Sequence, residues 1–483
     1  MSLSPLASPT DTIMGVDACL AALAAEFSPA ALLMGADVPA RNLQDTSYLP
    51  AVRPLAVVRP DSAEGVAAAM RICGAHGVAV VPQGGLTGLT GGAHPIAGAV
   101  MISLERFSGI EELDPASATM TVRAGTPLEV IQKAADEAGF FIALDLGARG
   151  SCQIGGNLST NAGGNRVIRY GMAKEMVLGL QYVLPDGTLI TGLNKMLKNN
   201  AGYDLKQLFL GSEGTLGIIT RAVLRLHPKP GCTHAALCGV DSYEDVVKLL
   251  GAARRGLGPM LSAFEVMWPD YWQVATVRVK GVRAPVAGAH ALYVLIEMQG
   301  LDEAIDGARF QSWIENVFEA GIIADAAVSQ SMGDVGAFWR TRDACAEFGT
   351  VLGPHASFDI GLPVTAMDAF AAACRARLAA ALPNMLSVYY GHIGDGNLHI
   401  VALSEGAKVQ PTAEICAIVY ETVREFGGTI SAEHGIGLVK KPYLGYTRTA
   451  QELALMARLK AALDPAHLLN PGKVFDPATG DSE

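Results

Sequence analysis

The sequence predicts an α+β chain of more than one domain, and three observations lead there. Its 483 residues exceed what one core ordinarily organises, since domains run to about 150 residues. The first half strings short β and α segments around glycine-rich loops, whereas the middle carries long strands interleaved with helices, the pattern of an antiparallel sheet with helices on one face. Between them His227-Pro-Lys-Pro-Gly231 places two prolines and a glycine in five residues, the strongest break in the chain, and a boundary is expected there.

Taken in order, the N-terminal forty residues read as helical, first ACLAALAAEF and then SPAALLMGA. An extended stretch follows at Leu55–Pro60, then a helix from Ser62 to His76 and a short strand from Val78 to Val81. A long glycine-rich loop opens at Pro82, and Gly98–Ser103 reads as the next strand. The β-α-β order recurs through Thr119–Gly125, a helix from Pro127 to Ala138 and Phe140–Leu144. A second glycine-rich region runs from Gly147 to Gly171, followed by strands at 177–187 and 217–228. Beyond the boundary, helices are expected at Tyr243–Arg254, Ala304–Ala320 and Ala366–Leu382, with strands at 291–299 and 385–403. The last fifty residues read as helical, ending in LDPAHLLNPGKVF.

Composition narrows the classes. Half the residues are apolar and 17% are charged, which excludes a disordered or fibrous chain. The net charge of −11 argues against nucleic acid as a partner. The eight cysteines are scattered without a Cys-x-x-Cys pair, so reduced thiols and a cytoplasmic location are expected, with loose attachment to a membrane through a partner left open. No apolar run is long enough to span a bilayer, and MSLSPLASPTDTIMG lacks the basic-then-apolar pattern of a signal peptide.

The 54 glycines are unevenly placed. Pro82-Gln-Gly-Gly-Leu-Thr-Gly-Leu-Thr-Gly-Gly92 holds five. Consecutive N–H groups in such a loop can converge on an anion, and missing Cβ atoms let a phosphate approach. A set of tight turns explains the loop alone equally well. Gly147–Gly164 adds hydroxyls and amides, which suits a long, polar, pyrophosphate-bearing ligand, and Gly211-Ser-Glu-Gly-Thr-Leu-Gly217 again sets glycines before a strand.

Six segments in order, PQGGLTGLTGG, GSCQIGGNLSTNAGGNRVIRYG, LFLGSEGTLGIIT, GHIGDGNLH, SAEHGIG and LDPAHLLNPGK, resemble the FAD-linked D-2-hydroxyacid dehydrogenases, a group of D-lactate and D-2-hydroxyglutarate dehydrogenases and the glycolate oxidase flavoprotein subunit. These are of the vanillyl-alcohol oxidase / p-cresol methylhydroxylase type. The resemblance spans roughly Leu55 to Phe475. It implies an FAD-binding domain of two subdomains at 1–229, rejoined by 427–483, and an α+β cap domain for substrate at 230–426. By position, Pro82, Gln83, Gly84, Gly85, Leu86, Thr87, Gly88 and Gly92 would cradle the FAD pyrophosphate. Gly150, Ser151, Gly156, Asn157, Thr160, Asn161 and Gly163 would line the ribityl chain and ring, Ile218 and Ile219 would meet the adenine side, and Asn470 would face the flavin. Some relatives attach FAD through a histidine where this chain has Leu86, so non-covalent FAD is expected. His94 reads as a loop or surface residue.

His392-Ile-Gly-Asp-Gly-Asn-Leu-His399 brings two imidazoles to a strand-like run that glycines let bend. With Glu433 they make a donor set suited to Zn²⁺, Mn²⁺ or Fe²⁺. Spacing alone equally fits two hydrogen-bonded histidines, and Asp395 reads as a turn residue. The resemblance implies a metal at His392, His399 and Glu433, Zn²⁺ first with Mn²⁺ or Fe²⁺ as alternatives. It also implies that the metal polarises the hydroxyl of a D-2-hydroxy acid, that His434 takes the hydroxyl proton, and that hydride passes from Cα to flavin N5. In Trp339-Arg-Thr-Arg-Asp343, Arg342 matches the arginine that grips the substrate carboxylate. Electrons would leave to a separate acceptor, an electron-transfer flavoprotein, a quinone or a cytochrome, and a homodimer is the family's expectation.

The chain departs from the D-2-hydroxyglutarate members at three places. Ser357 stands where they have a lysine, Val401 where they have an asparagine, and Ala346 where they have a threonine. Each change removes a polar or cationic group that a second carboxylate would need. A D-lactate-like or longer monocarboxylate is therefore expected, with D-2-hydroxyglutarate as the alternative. Trp268, Trp272 and Tyr389 are expected either to wall an apolar tail or to belong to the core. An O₂-reactive oxidase, a zinc hydrolase and a non-catalytic electron-transfer subunit are the competing classes.

Overall fold

The structure is a computed structural model that describes residues 9–476; the first residues of the MSLSPLASPTDTIMG segment and the last of the C-terminal segment lie outside that range. It divides into two compact units, and the chain crosses between them more than once. The first is formed by residues up to Gly163, Met172–Pro228 and from His434 onward; the second by Gly164–Gly171 and Lys229–Glu433.

The first unit holds two main sheets. A four-stranded sheet runs in the order Leu32–Met34, Ala56–Val58, Val100–Ser103, Val80–Gln83, the last three strands parallel. Val57, Val81, Ala99 and Met101 bury one side of it. The helix Ala63–Ala75 provides the β-α-β crossover. Ser62 caps it by accepting from Gly65 N, and its small residues Ala67, Ala69 and Cys73 are buried. A five-stranded antiparallel sheet follows in the order Ile110–Asp114, Thr119–Arg123, Ile218–Arg225, Val177–Val183, Leu189–Gly192.

Two expectations change here. Leu32–Met34, inside the SPAALLMGA stretch read as helix, is a strand, because it pairs in register with Ala56–Val58; that distant partner outweighs the local preference of alanine and leucine. Among the described residues, the terminal fifty contain one α-helix, Ala450–Leu463, opened by a Thr449/Glu452 capping box. Beyond it His467, Asn470 and Val474 take positive φ, so the NPGK segment is a chain of turns.

The second unit is one seven-stranded, wholly antiparallel sheet. Its order is Asp325–Val328, Cys232–Val240, Leu292–Gly300, Leu261–Met267, Met385–Gly391, Asn397–Ser404, Ala356–Gly361. The run 385–403 is thus two strands of a hairpin, broken by a 3-10 turn at Ile393–Asp395 and by Gly396 with φ of 90°. One face packs on an apolar core that includes Ala235, Leu237, Leu295, Val388 and Val401. Trp272 stacks on Tyr293 at 3.7 Å within that core, and Trp268 and Tyr389 are buried as well, so all three aromatics are packing residues.

Candidate functional site

The first glycine loop leaves the strand Val80–Gln83 and stays close to the second. A Cβ on Gly85 would lie 2.1 Å from Ser151 O, and one on Gly155 would lie 2.7 Å from Ala124 Cβ. Only glycine lets these backbones touch. The loop is tied by its carbonyls: Asn470 Nδ2 donates to Gly92 O at 3.1 Å, and Lys473 Nζ donates to Gly91 O at 2.6 Å and His94 O at 2.7 Å. Among the described residues, no backbone N–H from Gly84 to Gly92 donates to another protein group. A row of free donors is what an anionic pyrophosphate requires. Lys473 is 2% exposed; burial pulls its ammonium down to about 8, against the charges of Asp45 and Glu213.

A cleft of about 890 Å³ lies over this loop. Of the residues expected to bind cofactor, Pro82, Gln83, Gly84, Gly85, Leu86, Thr87, Gly88 and Gly92 line it, as do Gly156, Asn157, Thr160, Ile218 and Ile219. Gly150, Ser151, Asn161, Gly163 and Asn470 are not on its wall. Asn161 instead holds Lys174 N through Oδ1, and Asn470 braces the loop from behind. Gln153 Oε1 and Asn157 Oδ1 are buried on this cleft without a hydrogen-bond partner, acceptors waiting for a donor-bearing ligand. Glycine-loop amides and orphaned acceptors together fit FAD. Leu86 offers no nucleophile for a covalent link.

His434 lines the same cleft. Its carbonyl accepts from Thr90 Oγ1 at 3.2 Å, and the turn after it is held by Glu213, which accepts from Ile436 N at 2.7 Å and Gly437 N at 2.8 Å. A Cβ on Gly435 would meet Glu213 Cδ at 2.8 Å, which explains the glycine. Burial raises the Glu213 carboxyl, opposed by these two N–H groups. His94, expected near the surface, is buried, with Nε2 3.1 Å from Pro50 O and Nδ1 3.6 Å from Asp45.

In the second unit the donor atoms of His392, His399 and Glu433 lie within 4.8 Å of one another. The hairpin turn sets the two imidazoles 5.2 Å apart and nearly perpendicular. Glu433 Oε1 accepts from Gly164 N at 3.0 Å, and Glu433 N donates to Asp359 at 3.0 Å. The arrangement turns on a residue that sequence reasoning missed. Glu265, 1% exposed, places Oε1 2.6 Å from His392 Nδ1 and Oε2 2.7 Å from Arg342 Nε. Burial alone would raise its carboxyl, but the charges of His392 and Arg342 outweigh that and hold it near 2. Glu265 thus holds His392 through Nδ1 and leaves Nε2 directed away from it; burial would lower the imidazole, but the Glu265 charge outweighs that and raises it to about 9. Arg342 Nη2 lies 3.1 Å from His392 Nε2, and Arg342 also lies over Tyr390. Two imidazoles, one with its far nitrogen held by a carboxylate, and a glutamate fit a divalent metal.

The signal for Glu265 was present but unspecific: one carboxylate in LSAFEVM, a strand of apolar residues and one serine. Glu213 and Lys473 sit inside quoted motifs yet carried no assigned role. Arg340 lies on the same helix as Arg342, Met332–Arg342, but is exposed. Asp395 occupies the 3-10 turn.

Residues 54–192 match the "FAD binding domain" family, and residues 229–474 match "FAD linked oxidases, C-terminal domain". A D-2-hydroxyglutarate dehydrogenase of Xanthomonas citri pv. viticola is 42% identical over 428 residues, covering 88% of this chain and 89% of that one. A mitochondrial D-2-hydroxyglutarate dehydrogenase of Bos taurus is 37% identical over 419 residues, covering 87% and 76%. Among solved structures, p-cresol methylhydroxylase with bound substrate superposes with a TM-score of 0.76 at 16% identity, over 97% of this chain and 98% of that one, a likeness of fold.

Proposed function

The chain belongs to the FAD-linked 2-hydroxyacid dehydrogenases, and from that premise we propose that it oxidises a D-2-hydroxy monocarboxylate, D-lactate-like or longer, to the 2-oxo acid. FAD, when bound, supplies the acceptor for the hydride that leaves the substrate Cα. The amides of Gly84–Gly92 would hold its pyrophosphate, non-covalently. His392, His399 and Glu433 would hold a divalent ion, Zn²⁺ first, whose chemistry is that of a Lewis acid toward the hydroxyl. Arg342 would attract the substrate carboxylate by its charge and through its Nη1 donors, its Nε being held by Glu265. Glu265 keeps both Arg342 and His392 oriented. His434, the residue next to Glu433 in the chain, would accept the hydroxyl proton.

The observation that carries the substrate choice is the surface leading away from His399. His399, Val401 and Leu403 alternate onto one face of their strand, and Val401 faces Val388 and Ser357 across the ladders. Val401 and Val388 are buried in the apolar core cluster. Val401, Val388 and Ser357 thus supply no cation to a second carboxylate. The names of the Xanthomonas and Bos relatives favour D-2-hydroxyglutarate as the second reading. Anaerobic bleaching of the purified flavoprotein with a panel of D- and L-2-hydroxy acids separates the two. D-lactate or a longer D-monocarboxylate should bleach fastest. A D-2-hydroxyglutarate preference above about tenfold, or 1.4 kcal/mol in transition-state binding, would favour the second reading, and no bleaching by any acid would overturn both.

Cytoplasmic residence, a separate acceptor such as an electron-transfer flavoprotein, quinone or cytochrome, and a homodimer belong to the same proposal. The eight free cysteines support a reducing compartment. Among the described residues no helix is long and apolar enough to cross a membrane.

A further inference from the structure

The strand Cys232–Val240 shows two different faces. Ala235 and Leu237 point into the apolar core that also takes Val388 and Val401. Cys232 and His234 alternate onto the opposite face, toward the helix Glu303–Glu319. The His234 imidazole stacks on Phe310 of that helix with ring centroids 5.9 Å apart. Gly307 makes room for it, since a Cβ there would come within 3.1 Å of His234 Cε1. Glu303, in the first turn of the helix, brings Oε1 to 3.7 Å from His234 Nε2.

Here we propose a second metal site: Cys232 Sγ, His234 Nε2 and Glu303 Oε bind a Zn²⁺-class ion. The three ligand atoms lie within 4.8 Å of one another. Tetrahedral zinc with bonds of about 2.0 Å sets neighbouring N and O ligands about 3.3 Å apart, so the observed 3.7 Å needs a rotamer adjustment of a few tenths of an ångström. His234 Nε2 is buried and has no hydrogen-bond partner, which leaves its lone pair without a role in the protein alone. Thiolate, imidazole and carboxylate together select a borderline-soft ion over Mg²⁺ or Ca²⁺.

A polar cavity of about 670 Å³ opens beside the site, lined by His234 and Glu303 with Thr233, Gln311, Ser329 and Gln330. It provides an entry path and room for a fourth, water ligand. Asp302 and Asp306 flank Glu303 and add negative charge around the thiol. The site is separate from His392 and His399: it lies on the other face of the sheet, and two strands stand between Cys232–Val240 and Met385–Gly391. Its ion ties the first strand of the second unit to a helix that covers it. None of this rests on the proposed reaction.

The test is X-ray absorption at the zinc edge on the full-length flavoprotein loaded with Zn²⁺ alone. The set His392, His399, Glu433 contains no sulfur, so a sulfur shell at about 2.3 Å reports only a cysteine site. That shell is expected in the wild type and in His392→Ala, and is expected to vanish in Cys232→Ser and His234→Ala with loss of one zinc per chain. Glu303 is 75% exposed, so Glu303→Gln leaves the fold intact; its Zn²⁺ dissociation constant, by competition with a chelating dye, should rise about tenfold. A zinc-loaded wild type with no sulfur shell, a shell that survives Cys232→Ser, or an unchanged dissociation constant in Glu303→Gln would each overturn the proposal.

Discussion

Replacing Glu265 by glutamine tests the heart of the second unit's site with almost no change in volume. The carboxylate accepts from two donors at once, His392 Nδ1 at 2.6 Å and Arg342 Nε at 2.7 Å. An amide has one oxygen, so its NH₂ must face one of those donors. Arg342, 6% exposed, then keeps the exposed Asp343 at 3.7 Å as a counter-charge. Removing one partner of a buried pair costs about 3–5 kcal/mol. A domain of this size loses about 2–4 °C per kcal/mol, so the melting temperature should fall by roughly 10 °C. If His392 holds the proposed metal, losing the carboxylate that orients it should weaken metal binding about 10–100-fold, and kcat/KM should fall by at least that factor. The assay is thermal melting together with zinc content and dye-coupled turnover. In the double variant E265Q/R342M the loss should be smaller than the sum of the singles, because the stranded charge is gone. A melting point within about 2 °C of wild type, with unchanged zinc content and turnover, would refute the reasoning.

Four further outcomes are expected. His434→Gln should retain its flavin spectrum while kcat drops about 10²–10⁴-fold; a rate within about fivefold of wild type would remove His434 from proton transfer. Denaturation with acid should release all flavin into the supernatant, and flavin remaining on the precipitate would overturn non-covalent binding at Leu86. Lys473 titrates near 8 in the fold against 10.5 outside it, so between those values the unfolded chain binds more protons and stability rises with pH. Wild type should therefore gain on Lys473→Met by up to about 1.4 kcal/mol per pH unit across that window, seen as diverging melting curves; parallel curves would count against the buried ammonium. Val401→Asn combined with Ser357→Lys should move the preference toward D-2-hydroxyglutarate by about tenfold or more, and an unchanged ratio of kcat/KM values would dissociate those positions from tail selection.

What could be read along the chain was whatever is decided locally. A phosphate cradle needs several glycines in succession, because only their backbone can turn and approach so closely, and Pro82–Gly92 and Gly147–Gly171 display that need without help from distant residues. The hairpin at His392–His399 carries its own bend in Gly396, and the capped helix at Ala63–Ala75 carries its own serine. The double proline at 227–231 lies where the chain passes from Pro228 of one compact unit to Lys229 of the other. Where the outcome depended on a distant partner, the reading was incomplete. Leu32–Met34 became a strand because Ala56–Val58 lies beside it. Glu265 is separated by 77 residues from Arg342 and by 127 from His392, and nothing near it in sequence indicates that these three close on one another. The same holds for Cys232 and Glu303, and for Lys473 reaching back to Gly91 across 382 residues. The sequence by itself determined which chemical groups the protein carries and where its backbone can bend sharply. The tertiary structure alone decided which charges share a low-dielectric interior, and that choice sets proton positions, metal affinity and the shape left for a substrate.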